Sequence, residues 1–217
     1  MISTILSQGG DWLPDLVSGL KVSVMVTMVS LLIGLPFGFL LSLGVMSKSR
    51  MSNALALVVV EIGRGAPSLV LLQFAYFGLP SAGLTLSSFG ASVVALSWTT
   101  AAYTSEIIRA GLQSVPAGQR EAAMAVGLNR MDMMRFVIMP QGLKIAIPAL
   151  LGFAILIFQT TSLCFAIALP ELTSKAYEIG ANTFQYLPAL VLAGLLYLMV
   201  CIPMTMIVHW IENRRKY

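Results

Sequence analysis

The sequence predicts an all-α, polytopic membrane protein, a single domain over residues 1–217 that crosses the bilayer about five times. The first observation is composition: 58% of the residues are hydrophobic and only 10% are charged, whereas soluble domains carry about a quarter charged residues. The second is a series of five apolar stretches. The third is the concentration of basic residues in alternate connections, which explains the net charge of +4 better than nucleic-acid binding does.

The five apolar stretches cover residues 16–46, 54–78, 86–110, 143–169 and 186–211. Each meets or exceeds the ~20 residues that a helix needs to cross the hydrocarbon. Backbone polar groups in a bilayer must be satisfied within their own segment, and no stretch has the strong alternation of a barrel strand, so each is predicted to be a helix. Cys164 and Cys201 lie within two of these stretches and are predicted to be buried and unpaired.

The basic residues predict the orientation of the chain. Ten of the 13 Lys and Arg residues fall on one predicted side of the membrane. By the positive-inside rule that side is the cytoplasm, so the amino terminus is predicted outside and the carboxyl terminus inside. The ten are Lys48, Arg50, Arg109, Arg120, Arg130, Arg135, Lys144, Arg214, Arg215 and Lys216.

A stripe of small residues follows the first predicted span. Ser30, Gly34, Gly38 and Ser42 recur every four residues, and such a stripe lets another helix approach closely. The neighbour is either another helix of the same subunit or a helix of a second subunit. The sequence leaves both readings open.

The connection at about residues 111–142 is too long and too organised to be a simple linker. Residues 119–127 are predicted to form a short helix that Pro116 can start and Gly127 can end. The helix carries Glu121, Ala122 and Ala123 near its beginning. A small, alanine-rich helix held parallel to the membrane on the basic side makes a compact knob that a groove in a cytoplasmic partner can grip.

Polar groups within the predicted spans mark a candidate pathway. Glu61 and Arg64 lie one helical turn apart in the second span, where a single charge costs roughly 2.5–3.5 kcal/mol, so they are expected to pair. Glu106 and Arg109 repeat the spacing. The pairs either lock helices together or contact a zwitterionic substrate.

The fourth span contains the consecutive residues Gln159, Thr160, Thr161 and Ser162, which either bond back to their own helix or line a cavity.

Several segments together resemble the polar-amino-acid permeases of bacterial ABC importers, the histidine, arginine and glutamine permeases among them. Glu-Ala-Ala, three residues, Gly and a later Ile-x-Pro resemble the signature loop of these permeases. Here Met139 directly precedes Pro140, where the family has Leu. The resemblance covers nearly the whole chain. Further matching segments are Glu61–Pro67, in which Ala66 replaces Thr, Ala102–Gly111, Gln113–Gln119, Thr161–Leu163 and Glu171–Thr173.

The resemblance implies a type I importer permease in a bacterial inner membrane. This chain would be a transport subunit and not an enzyme, with a second copy or a paralogous permease, two ATPase subunits and an external substrate-binding protein as partners. ATP and Mg would be bound by the ATPase, since this chain has no Gly-x-x-x-x-Gly-Lys phosphate loop. The implied cargo is a polar amino acid, and no cofactor, metal or nucleic acid is expected in this chain.

The same resemblance gives the candidate residues their roles. The implied ATPase-coupling residues are Glu121, Ala122, Ala123, Gly127 and Pro140. The methionines around the short helix can help to fill the ATPase groove: Met124, Met131, Met133 and Met134. The candidate pathway residues are Glu61, Arg64, Tyr103, Gln159, Thr160, Thr161 and Ser162. At the positions of Gln159 and Thr160 the family commonly has Lys followed by an acidic residue or Asn. An acidic group would suit a cationic side chain, so its absence here weakens the case for a cationic cargo. Glu171, Lys175 and Glu178 either meet the binding protein or form a solvated surface.

Two other classes of function remain to be weighed. A stand-alone secondary transporter or channel would show internal repeats with ion-coordinating breaks, and the two halves of the chain show no convincing repeat. An intramembrane enzyme needs a nucleophile with its base, or a metal cluster. One His and two isolated Cys supply neither.

Overall fold

The computed structural model describes residues 2–213, and within that range the chain forms helices and no strand. The all-α prediction is therefore confirmed for the described residues. Arg214, Arg215 and Lys216, which contribute to the predicted orientation, lie outside them. The structure does not establish which side of a membrane either terminus occupies.

The helices follow one another with short connections. In chain order they are α1 (Ile2–Val45), α2 (Arg50–Gly65), α3 (Ser68–Gln73), α4 (Ser88–Gln113), α5 (Ala117–Ala125), α6 (Arg130–Asp132), α7 (Met139–Thr160), α8 (Leu172–Thr183) and α9 (Tyr186–Asn213). Irregular helical turns extend three of them. A π turn (Phe74–Gly78) and a 3₁₀ turn (Leu79–Ala82) follow α3, a π turn (Met133–Ile138) joins α6 to α7, and a 3₁₀ turn (Thr161–Ile167) follows α7.

Three helical segments of the described chain are long and apolar enough to cross a membrane: Gln8–Val45, Arg130–Ile167 and Tyr186–Asn213. A fourth crossing is possible if Arg50–Gly65 and Ser68–Ala82, which meet at 104°, count as one span. The expectation of an uninterrupted helix over 54–78 is therefore wrong. Pro67 disfavours helical backbone at Ala66, whose ψ is 134°, and the chain turns there.

The predicted third span corresponds to α4, a helix of 26 residues. At 1.5 Å per residue it is ~39 Å long, which suffices for the ~30 Å hydrocarbon core. It is less apolar than the long helices α1, α7 and α9 because buried hydroxyls line it. The hydroxyls of Thr99, Thr100 and Thr104 each donate to the carbonyl oxygen four residues earlier, so their burial leaves no donor unsatisfied.

The small-residue stripe of α1 packs on α4 of the same chain. A Cβ atom on Gly34 would lie 2.5 Å from the Cβ of Thr100, and one on Gly38 would lie 2.9 Å from the carbonyl oxygen of Ala101. Ser30 is fully buried in the same stripe. Only glycine permits this close approach of the two helices, so the interpretation within one subunit is the one the structure supports.

The molecule has two ends that carry different short helices. The connection from α4 to α7 contains α5, and the connection from α7 to α9 contains α8; we call these the α5 end and the α8 end. A buried apolar cluster supports each end. Ile108, Leu112, Val115 and Ile138 pack at the α5 end, whereas α8 packs between the first half of α1 and α9. Cys164 and Cys201 are buried and unpaired, as predicted.

Candidate functional site

The short helix predicted in the long connection is present as α5, and both its ends have a physical cause. Pro116 directly precedes it with φ −54° and ψ 141°. At the other end Gly127 has φ +80°. Its N–H donates to the carbonyl of Met124 (2.9 Å), and the N–H of Leu128 donates to that of Ala123 (3.0 Å). This is the Schellman arrangement, which favours glycine at the left-handed position.

Hydrogen bonds and packing fasten α5 to the two long helices beside it. The Nη2 of Arg120 donates to the carbonyl oxygen of Leu112 on α4 (3.2 Å). The Nε2 of Gln141 on α7 donates to the Oε1 of Gln119 (3.2 Å). Ala123 is buried. The helix α5 is therefore attached to both α4 and α7.

The outward face of α5 is small and apolar around one carboxylate. Glu121 and Ala122 are exposed, and the exposed fractions of Met124 and Val126 are 57% and 76%. Of the five residues predicted for coupling, Ala123 alone is buried, where it holds the helix against its own subunit. The other four reach the surface.

Pro140 lies in the first turn of α7, directly after the π turn Met133–Ile138. Proline has no N–H for a bond to the residue four positions back, and its ring clashes with that carbonyl. A π turn accommodates such a break without ending the helix. Arg130–Ile167 therefore remains one continuous helical element, with Pro140 exposed on it.

A glycine contact at the root of the long connection was missed from the sequence. A Cβ atom on Gly111 of α4 would lie 2.6 Å from the carbonyl oxygen of Gly142 on α7, and one on Gly142 would lie 2.7 Å from the Cα of Leu112. The backbones of α4 and α7 thus touch where the connection begins and ends. The available signal was a glycine at each boundary of the predicted segment 111–142.

The charged residues predicted as two separate pairs form one ladder between α2 and α4. The guanidinium of Arg64 lies 3.7 Å from Glu61 and 3.8 Å from Glu106. Arg109 donates to both carboxylate oxygens of Glu106, at 3.0 and 2.6 Å, and to the Oε1 of Gln113 at 2.9 Å. Glu106 is therefore the acceptor that joins the two arginines.

Tyr103 belongs to the same cluster. Its hydroxyl donates to the carbonyl oxygen of Arg64 (3.3 Å), the Arg64 guanidinium carbon lies 5.8 Å from the centre of its ring, and the ring stacks on Phe153 of α7 at 5.3 Å. Three of the predicted pathway residues, Glu61, Arg64 and Tyr103, are thus brought together by α2 and α4. All three are exposed, so the cluster is accessible.

The four polar residues at the end of α7 do not share one environment. The hydroxyls of Thr160, Thr161 and Ser162 bond back to the carbonyls of Leu156, Phe158 and Gln159. Thr161 is fully buried and lines no surface in this arrangement. Gln159, Thr160 and Ser162 retain exposed area. Within the described residues, no hydrogen bond or ion pair identified here joins residues 159–162 to the charged ladder.

Glu171 is fully buried, so the expectation that it meets a binding protein or solvent is wrong. Its carboxylate accepts the N–H groups of Thr173 (2.9 Å) and Ser174 (2.8 Å) at the start of α8 and the hydroxyl of Tyr197 (2.9 Å). Burial raises the pKa of Glu171, and these donors oppose that rise. The other two residues of that group, Lys175 and Glu178, form an ion pair at 2.7 Å.

Known proteins are similar in sequence to this chain over most of its length. Residues 34–217 match the family of binding-protein-dependent transport system inner membrane components. The chain belongs to this family. It is 37% identical over 205 residues to the arginine transport system permease protein ArtQ of Bacillus subtilis, covering 94% of each chain. It is 34% identical to the glutamine transport system permease protein GlnP of Escherichia coli strain K12, covering 95% of this chain and 98% of that one.

The fold has a solved counterpart. The structure superimposes on a chain of an amino acid ABC transporter with histidines with a TM-score of 0.91 and 31% identity, covering 95% of this chain and 97% of that one. The fold is therefore that of type I ABC importer permeases, as predicted. The family consists of membrane-bound transport components that work with a binding protein, which overturns the alternative of a stand-alone transporter or channel.

Proposed function

We propose that this chain is one half of the membrane path of an ATP-driven importer for polar amino acids or related compounds in a bacterial inner membrane. Three relatives that are 34–37% identical support an amino-acid cargo, since their names specify arginine, cystine and glutamine. The second half of the path is another copy or a paralogous permease. Two ATPase subunits, which bind ATP and Mg, and an external substrate-binding protein complete the transporter.

The observation that carries the coupling role is the attachment of α5. Its exposed face offers Glu121, Ala122 and Met124 to a partner, while Arg120 and Gln119 tie it to α4 and α7. Closure of the ATPase dimer on ATP moves the groove that holds α5. Because α5 is fixed to both long helices, the motion passes into the membrane as a rigid-body displacement, which opens the path on the opposite side.

The ladder and the end of α7 supply groups that suit a zwitterionic cargo. Arg64 can pair with a carboxylate and Glu61 with an ammonium group, and Tyr103 lies against Arg64. Gln159, Thr160 and Ser162 offer uncharged hydrogen-bonding groups for a polar side chain. No carboxylate stands at residues 159–162. This half therefore favours an uncharged polar side chain, and a cationic cargo would be held by a paralogous half.

Uptake into proteoliposomes tests the proposal. The permease is reconstituted with its ATPase and binding protein, and radiolabelled L-arginine, L-glutamine and L-cystine are supplied separately. We expect ATP-dependent accumulation of at least one of them and none when the ATPase is omitted. Uptake that persists without ATPase and ATP would return the protein to the secondary transporters. Absence of uptake of all three from the complete system would remove the amino-acid assignment.

A further inference from the structure

Glu171 is the one charged side chain that is fully buried among residues whose burial is described. It sits between three helices. Its carboxylate receives the backbone N–H groups at the start of α8, the hydroxyl of Tyr197 on α9 and, at 3.4 Å, that of Ser23 on α1. A buried carboxylate is tolerated only with such a set of donors. The group therefore fixes where α8 begins relative to α1 and α9.

Tyr197 connects this anchor to the end of α7. Its hydroxyl donates to Glu171 and lies 3.4 Å from the hydroxyl of Thr173. Its ring packs against Phe158 with 5.3 Å between centroids. Phe158 directly precedes Gln159, and the Nε2 of Gln159 donates to the Sγ of Cys201, one turn beyond Tyr197 on α9 (3.7 Å). We call Gln159, Thr160 and Ser162, which retain exposed area, the exposed polar segment. One side of this segment is thus held on α9.

The other side of the segment is held through the backbone. The chain leaves the 3₁₀ turn Thr161–Ile167 through Ala168, a non-glycine residue with φ +56°, a conformation that persists only where the surroundings fix it. The carbonyl of Leu169 then accepts the N–H of Glu171 (2.8 Å) and the hydroxyl of Ser174. Ser174 also donates to the Glu171 carboxylate (3.3 Å). Glu171 thus stabilises the backbone just after the 3₁₀ turn. Gln159 and Thr160 lie just before the same turn.

We propose that Glu171 and Tyr197 are positioning residues for the cargo path. They hold the end of α7 from both sides, and so set where the side chains of Gln159, Thr160 and Ser162 lie. Neither residue touches the cargo: Glu171 is fully buried, and Tyr197 is partly buried against Phe158 and Glu171. The inference rests on the proposed function, in which the exposed polar segment contacts the cargo.

Replacement of Tyr197 by Phe tests this role with the smallest change. The ring and its packing on Phe158 remain, but Glu171 loses one donor, so the Tyr197 ring is held less firmly and the end of α7 that packs on it is less fixed. In proteoliposomes that contain the ATPase and the binding protein, we expect the number of cargo molecules imported per ATP hydrolysed to fall about three- to tenfold, the effect of one lost hydrogen bond of ordinary strength. The rate of ATP hydrolysis stays that of the wild type. L-Arginine, L-glutamine and L-cystine serve as cargo probes.

Two further variants separate positioning from simple stability. Glu171→Gln keeps the size of the side chain and should lower the same ratio. Thr160→Ala combined with Tyr197→Phe should lower the ratio by less than the product of the two single effects, because part of the Tyr197 effect acts through Thr160. The matched control is Tyr186→Phe on the same helix. A merely structural role lowers uptake and ATP hydrolysis in proportion and leaves their ratio unchanged.

The possible failures are distinguishable. If the wild type imports a probe with ATP but Tyr197→Phe keeps the wild-type ratio, or shares its effect with Tyr186→Phe, the positioning role is wrong and the proposed function stands. Multiplicative effects in the double variant also overturn positioning, since they place Tyr197 and Thr160 in independent roles. If the wild type imports none of the probes, the proposed function and this inference fail together.

Discussion

At the scale of single residues, Glu106 is the carboxylate of the charged ladder that contacts two arginines. It binds Arg109 through both oxygens and also lies within ion-pair distance of Arg64. Its side chain is 22% exposed, whereas that of Glu61 is 67% exposed. Ion pairs in exposed positions stabilise by only ~0–1 kcal/mol, but removing one partner of a buried pair costs about 3–5 kcal/mol. The two glutamates are therefore unequal despite their identical spacing to an arginine.

Replacing Glu106 by Gln leaves two guanidinium groups without their shared acceptor. We expect the free energy of unfolding in detergent to fall by about 1–3 kcal/mol, between the exposed and buried limits. Glu61→Gln is the matched control. It should change the free energy of unfolding by less than about 1 kcal/mol, because the Glu61 side chain is mostly exposed. Equal losses in the two variants would show that Glu106 has no special place in the ladder.

At the scale of elements, the connection between α4 and α7 combines a rigid root with a defined tip. Gly111 and Gly142 let the two backbones touch at the root. The apolar cluster of Leu112, Val115 and Ile138 packs between the end of α4 and the start of α7. Gly127 ends α5 in the left-handed conformation. A short helix fixed in this way transmits displacement, whereas an independently mobile loop would absorb it.

Gly127→Val tests whether the end of α5 matters for coupling. No atom lies within 4 Å of the added Cβ, so the effect comes from the backbone: a β-branched residue is strained at φ +80° by roughly 1–2 kcal/mol. We expect the variant to insert and assemble, with ATP hydrolysis continuing while uptake is lost.

Gly118→Val is the control for that variant. Gly118 lies on the same helix, also with open space around a Cβ atom and without a positive φ. Uptake and ATP hydrolysis should therefore stay coupled. Normal uptake with Gly127→Val, or equal loss in both variants, would contradict a specific role for the end of α5.

At the scale of the whole molecule, α4 is the central helix. It packs against α1 along the small-residue stripe, carries the ladder toward α2, stacks Tyr103 on α7 and ends at the root of the α5 connection. One helix, α4, therefore carries Glu106 and Arg109 of the ladder and leads into the coupling segment, so a tilt of α4 changes both. The α5 end and the α8 end lie at opposite ends of α7.

Cysteine labelling checks the predicted orientation. The native Cys164 and Cys201 are buried, so they can be replaced and give little background. We expect Gly118→Cys at the α5 end to react with a membrane-impermeant maleimide only in inverted vesicles, and Asn182→Cys on α8 only in intact cells with an accessible outer face. Both positions are exposed. The reverse pattern would place the α5 end outside and rule out its coupling to a cytoplasmic ATPase.

The sequence by itself determined the all-α class, the short helix in the long connection and the pairing of charges at one-turn spacing. Each follows from local physics. Apolar stretches of sufficient length must be helical in a bilayer, Pro116 and Gly127 bracket a helix through their own backbone preferences, and residues three apart on a helix are neighbours. The family resemblance rested on the same local segments, and comparison confirmed it.

Only the tertiary structure decided which separate segments meet. It placed Glu106 between two arginines, brought Gly111 onto Gly142, buried Thr161 and enclosed Glu171 beneath Tyr197. Among them, the contact of Glu106 with Arg64 joins residues 42 positions apart. Such contacts depend on how helices cross, which no local pattern contains. The bend at Pro67 shows the same limit, because apolar composition continues through a break that backbone geometry imposes.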